Sequence, residues 1–122
     1  MNSPEEKHDR LPLLPAVFHI MLALADGERH GYGIKREVEF RTCGLIKLGP
    51  GTLYGTLRRM LAEELIEECG EHPDAGGDDV RRRYYRLTDL GRRLAEAEAR
   101  RLKSLVDLAR AKELLGSPKQ LL

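Results

Sequence analysis

The chain is poor in the residues that carry covalent and metal chemistry. Only two cysteines are present, Cys43 and Cys69, and they give neither a metal-ligand spacing nor a disulfide framework. A reduced, cytoplasmic location is the simpler expectation. The three serines, Ser3, Ser104 and Ser117, are not framed with histidine and acid as a triad. Gly49-Pro50-Gly51 lacks the glycine-rich run ending in Lys-Ser/Thr that a phosphate loop requires. No acidic pair sits on an apolar, cleft-forming helix. Catalysis, bound metal and bound cofactor are therefore not expected. No apolar stretch reaches 18 residues, so no conventional membrane-spanning helix is expected. The first residues lack a basic n-region, and Pro12 and Pro15 interrupt the start of the apolar run, so no signal peptide is read.

One further absence is local. Between residues 63 and 79 there is no lysine or arginine, while eight acids crowd that stretch. The formal charge of +1 therefore hides 21 basic against 12 acidic groups in the rest of the 122-residue chain. Such sorting permits a face that meets a polyanion. With 41% apolar and 34% charged residues, the composition is that of one small folded domain.

The pattern of elements is mainly α with a small β-hairpin. Residues 1–11 are polar and expected to be flexible, as are residues 116–122. Residues 12–25 form an almost wholly apolar helix, which must be covered on every face. A second, short helix is expected over 32–42, with Tyr32, Ile34, Val38 and Phe40 as candidate anchors and Gly44 as a C-cap. A third runs over 50–63 behind Pro50. Its stripe of Leu53, Leu57, Met60 and Leu61 faces the core. Thr52, Gly55, Thr56, Arg58 and Arg59 lie off that stripe, with Tyr54 at its edge. Strands at 65–69 and 83–87 make a hairpin over 65–87, with Tyr84 and Tyr85 on opposite faces. Thr88 is the expected N-cap of a long last helix over 88–115.

Helix, helix, helix, hairpin, long helix is the order of a winged helix-turn-helix over residues 12–87 with a C-terminal helix. A helix whose outer face is small, hydroxylic and basic fits a DNA major groove, and arginines bond phosphates or guanine edges. Arg81, Arg82 and Arg83 fall where the wing returns and are expected to meet phosphate. Asp78 and Asp79 at the tip would be repelled, so the tip is expected to bend away or stay mobile. The last helix is too long for one small domain to cover. Its seam of Leu94, Arg101, Leu102, Leu105, Val106 and Ala109 is expected to pair with a second copy, together with Leu14, Val17, Phe18 and Met21.

The chain resembles the PadR-type winged-helix transcriptional regulators. The matching segments are His30-Gly31-Tyr32-Gly33-Ile34, Gly51 to Met60 (GTLYGTLRRM), Leu65 to Glu68 and Arg83 to Gly91 (RYYRLTDLG). The resemblance implies a homodimeric DNA-binding regulator, usually a repressor, with Thr52, Tyr54, Thr56 and Arg58 on the recognition helix and Arg81 to Arg83 on the wing. It implies a compact member with one short dimerisation helix. An inverted-repeat operator and a small-molecule effector are among its implied partners. The tryptophan platform on which some members stack drugs is absent here, and Phe18 and His19 are the residues left near such a position. A dimeric winged-helix adaptor that binds protein instead of DNA is the alternative.

Overall fold

The computed structural model describes residues 10–70 and 83–116. Helix α1 spans Pro15–Leu24, strand β1 Arg29–His30, helix α2 Gly31–Arg41 and helix α3 Pro50–Ala62. Strand β2 spans Ile66–Cys69, strand β3 Tyr84–Leu87 and helix α4 Asp89–Ala111. The fold is mainly α with a small sheet, a winged helix-turn-helix followed by a C-terminal helix. Much of the expected flexible termini, with the wing tip and Arg81 and Arg82, lies outside the described residues.

Helix α1 starts at Pro15, whose fixed φ suits the first helical position and whose missing N–H would have no partner there. Pro12 stands outside the helix, unlike the expected start at residue 12. Val17, Ile20, Met21, Ala23 and Leu24 are buried, while Leu14 and Leu22 remain exposed. The helix ends without a basic residue of its own. Arg29 and Arg92 take that place, donating to the Ala23 carbonyl at 2.7 Å and the Ala25 carbonyl at 3.0 Å. Both satisfy carbonyls left open at a helix end.

Helix α2 opens on His30, whose Nδ1 accepts from the Gly33 N–H at 2.9 Å. A Cβ at Gly33 would crowd the His30 ring, and one at Gly31 would press on the Tyr54 ring. The HGYG segment is thus a cap and two close approaches. Ile34 and Val38 are fully buried. Tyr32 and Phe40, expected as anchors, are 54% and 86% exposed. Both lie off the narrow face that the short helix turns inward, and Tyr32 instead lies under the Arg36 guanidinium. The turn closes through Thr42, whose hydroxyl donates to the Val38 carbonyl and accepts from the Ile46 N–H. Cys43 and Gly44 adopt positive φ, and the Gly44 N–H returns to the Glu39 carbonyl at 2.8 Å.

The sheet has three strands in the order β1-β3-β2, all antiparallel. The expected hairpin is there, with Ile66 opposite Leu87 and Cys69 opposite Tyr84. On the other side of β3, Arg29 and His30 pair with Tyr85 and Tyr84. This two-residue strand has no counterpart in the expected elements, because two residues are too few to show a strand's alternation. Tyr85 is buried, while Tyr84 meets the His30 ring edge-on with centroids 5.3 Å apart.

Thr88 caps α4, accepting from the Gly91 N–H at 3.0 Å. Its own hydroxyl donates to the Glu64 carbonyl at 2.7 Å, and its N–H to the Leu65 carbonyl at 3.1 Å. A Cβ on Gly91 would overlap that same Leu65 oxygen. Helix α4 is therefore clamped to the point where α3 passes into β2. It ends at Ala111 rather than near Leu115, with Lys112 as its C-cap.

Candidate nucleic-acid interface

Helix α3 turns Leu53, Leu57 and Met60 fully inward, and Leu61 is half-buried. Its opposite side presents Thr52, Arg58 and Arg59 to solvent, with Gly55 and Thr56 half-buried. The N-cap, Gly49, offers no side-chain bond to the helix's first N–H groups. No acid occurs from Pro50 to Ala62. A helix end with open N–H groups and an outer face without carboxylates suits an anionic backbone.

The two arginines of this helix diverge. Arg59 reaches Glu63 at 3.4 Å and borders a hollow shared with Arg10, Leu13 and Leu14. Arg58 has no hydrogen-bond or ion-pair partner among the described residues, and it faces the wing. There it borders a cavity of about 400 Å³ with Arg83 on the opposite wall. Arg83 contacts Glu68 at 3.4 Å, an exposed pair that costs little to part. Arg58 and Arg83 thus stand on either side of one concavity, whereas Arg81 and Arg82 lie outside the described residues. Arg86 belongs to a different set: it pairs with Glu67 at 2.8 Å across the strands and with Glu28 at 3.7 Å. Tyr54, expected at the edge of the stripe, is half-buried with its ring over Gly31.

The expected dimer seam divides in two. Val17, Met21 and Leu94 are buried within the protomer and hold α1 against α4. They are corrected from partner contacts to core, because α1 uses its inner face for its own domain. Arg101 is likewise matched internally, its Nε 2.6 Å and its Nη2 3.0 Å from the Glu98 carboxylate. Leu14, Leu105 and Val106 are exposed, and Phe18, Leu102 and Ala109 are half-buried.

Glu98 was missed from sequence. It is only 2% exposed, and its Oε2 also accepts from the Leu13 N–H at 3.1 Å. The Arg101 guanidinium and that N–H hold its carboxyl below the usual carboxylate range, against the opposing effect of burial. The signal available was an arginine on an apolar seam with an acid three residues before it.

Among the described residues, the titrations resolved for Cys69 and His19 do not favour chemistry. Burial and a hydrogen bond to Glu28 push the Cys69 thiol up to about 11, so it stays protonated. Burial and the nearby Arg41 guanidinium lower His19, whose ring nitrogen lies 3.3 Å from that arginine. Among the described residues no group of three metal-ligating side chains occurs, and no helix is long and apolar enough to cross a membrane.

Residues 20–97 match the model of the transcriptional regulator PadR-like family. A transcriptional regulator of Mycobacterium tuberculosis is 34% identical over 98 residues, covering 80% of each chain. An uncharacterised 37.1 kDa protein of a Streptomyces fradiae transposon is 41% identical over 80 residues. That match takes in 66% of this chain but only 21% of the transposon protein. Among solved structures, a PadR family regulator from Clostridium difficile is similar with a TM-score of 0.66 at 26% identity, covering 83% of this chain and 98% of that one. Regulators of this family generally bind DNA as dimers. The chain belongs to the PadR-like family of transcriptional regulators, DNA-binding winged-helix proteins with a regulatory and not a catalytic role.

Proposed function

We propose that the chain is a sequence-specific repressor that binds an inverted-repeat operator as a homodimer and is released by a small-molecule effector. The outer face of α3 carries the reading. It joins Thr52, Gly55, Thr56 and an Arg58 without a partner among the described residues on one acid-free helix, with Arg83 across the concavity. Helix α3 enters the major groove, Arg58 reaches base edges or phosphate, and Arg81 to Arg83 meet phosphate. Helix α4 supports the dimer, since beyond Glu98 it leaves Leu105, Val106 and Leu108 open to solvent. A two-fold pair sets two α3 helices about 34 to 36 Å apart, one turn of duplex.

The test is a gel shift on the DNA upstream of the protein's own gene, against a scrambled duplex, at several salt concentrations. A phosphate contact supports all duplexes alike, so Arg83→Ala lowers both affinities in parallel and reduces the salt slope by about one. A base contact discriminates by about 1 to 3 kcal/mol, so Arg58→Ala also compresses the ratio between the two duplexes. Equal binding of operator and scrambled DNA by the unmodified protein would move the function to a dimeric protein adaptor.

A further inference from the structure

The two faces of the wing differ in what they meet. Residues alternate along a strand, so Arg83 and Tyr85 turn to the cavity beside α3, and Tyr84 and Arg86 turn to the other side. On that far side Arg86 lies opposite Glu67 of β2, and Tyr84 opposite Cys69. A third segment reaches the same place. Glu28, just ahead of β1, stands 3.7 Å from the Arg86 guanidinium, whose Nε donates to Glu67 at 2.8 Å. The Cys69 thiol donates to Glu28. One carboxylate from outside the hairpin thus holds both of its strands, β3 through Arg86 and β2 at its last residue.

We propose that Glu28, Arg86 and Cys69 form a brace that sets the wing's orientation, and that operator affinity depends on it although none of the three touches DNA. They are positioning residues. Two observations carry this. The cluster of Glu28, Glu67 and Arg86 sets two carboxylates against one guanidinium, a net negative charge that repels phosphate. Arg86 is therefore not a further phosphate contact, in spite of its place three residues after Arg83. The second observation is the shortness of β1. Only Arg29 and His30 pair with β3 on that side, so Glu28 extends a hold that two backbone residues begin. Each exposed ion pair adds little to unfolding stability on its own. What the brace controls is the angle at which the wing leaves the sheet.

The effect on DNA rests on the wing contacts proposed above; the bracing itself does not. A wing that holds its docking orientation for only part of the time binds with an affinity reduced by that fraction. Charge alone leads to the opposite expectation for Glu28. Removing a carboxylate from a DNA-binding protein takes away repulsion, so operator affinity should rise. The brace requires it to fall, and the sign of the change separates the two.

The test combines operator-binding isotherms, thermal melts and amide hydrogen exchange on the full chain. If the unbraced wing docks correctly for about a fifth of the time, Glu28→Ala weakens operator binding about fivefold, and Arg86→Ala does the same. Both variants should melt within a few degrees of the unmodified protein. A phosphate contact by Arg86 would instead make the two substitutions opposite in sign, and that result would overturn the brace. In a chain already carrying Arg81→Ala, Arg82→Ala and Arg83→Ala, adding Glu28→Ala should weaken binding no further, because no wing contact is left to misplace. An equal loss in that background would show that Glu28 acts elsewhere. Unchanged or tighter binding by Glu28→Ala, where the three wing substitutions do weaken it, would overturn the dependence on the brace. Independently of DNA, amide exchange in β2 and β3 should quicken about tenfold in Glu28→Ala, with α3 unaffected. Unchanged exchange there would remove the brace itself. Quickened exchange in a protein whose operator affinity ignores the three wing substitutions would take the wing off the duplex and leave the brace standing.

Discussion

Two glycines separate packing from function at the level of single residues. Gly91 lies against the Leu65 carbonyl, and neither backbone can yield without moving α4 off the sheet. Gly91→Ala should cost about 3 kcal/mol, read as a lower denaturation midpoint. Gly55 faces open space, its nearest neighbour for a Cβ being the mobile end of Arg58 at 3.9 Å. Gly55→Ala should gain roughly 0.5 to 1 kcal/mol of helix stability. It should also weaken operator binding, since a methyl group then stands where the helix backbone approaches DNA. A Gly55 variant that is more stable and binds operator unchanged would take that face off the duplex. Glu98 gives a third test at this scale. Its carboxyl is held low in the folded chain, so its stabilisation is complete above the ordinary value of 4.5 and is lost as pH falls through the folded value. Glu98→Gln should cost about 2 to 4 kcal/mol at neutral pH, because Arg101 and the Leu13 N–H lose a charged acceptor. It should also flatten the acid limb of the stability profile, as urea midpoints between pH 3 and 7 would report.

Among the elements, those with long periodic patterns were legible in the sequence. The i, i+4, i+7 stripe of Leu53, Leu57 and Met60 named the buried face of α3, and Thr88 named the start of α4. What failed was short or shared between distant segments. Strand β1 has two residues whose partners lie some 55 positions later, and no local pattern encodes that pairing. Tyr32 and Phe40 are apolar in type yet exposed, because residue type does not fix a helix's rotation about its own axis. The dimer seam was read as one surface because apolar residues look alike in sequence, whether they face their own domain or a partner. Its outward part can be tested alone. Leu105 is half-exposed and far from the protomer core, so Leu105→Asp should leave the isolated fold intact. It should convert a dimer to monomer by placing a carboxylate in an apolar contact. Sedimentation equilibrium at micromolar concentration measures this, and an unchanged dimer would place the interface elsewhere.

For the molecule as a whole, the position of β3 decides how α3 and the wing relate. A wing made of a lone hairpin would swing about its two ends, and its distance from the recognition helix would vary. Here β3 is the central strand, bonded on one side to β2 and on the other to the residues that lead into α2. Tyr84 and Tyr85 therefore fasten the base of the wing to the helix-turn-helix itself. Arg83 immediately precedes Tyr84, the first residue of this anchored strand, so its reach is measured from a fixed origin. On the function proposed above, the spacing of the backbone positions that carry Arg58 and Arg83 is a span set before any duplex arrives. A nucleic acid whose backbone does not match that span gains one contact or the other but not both, and little ordering entropy remains to be lost when the right one docks.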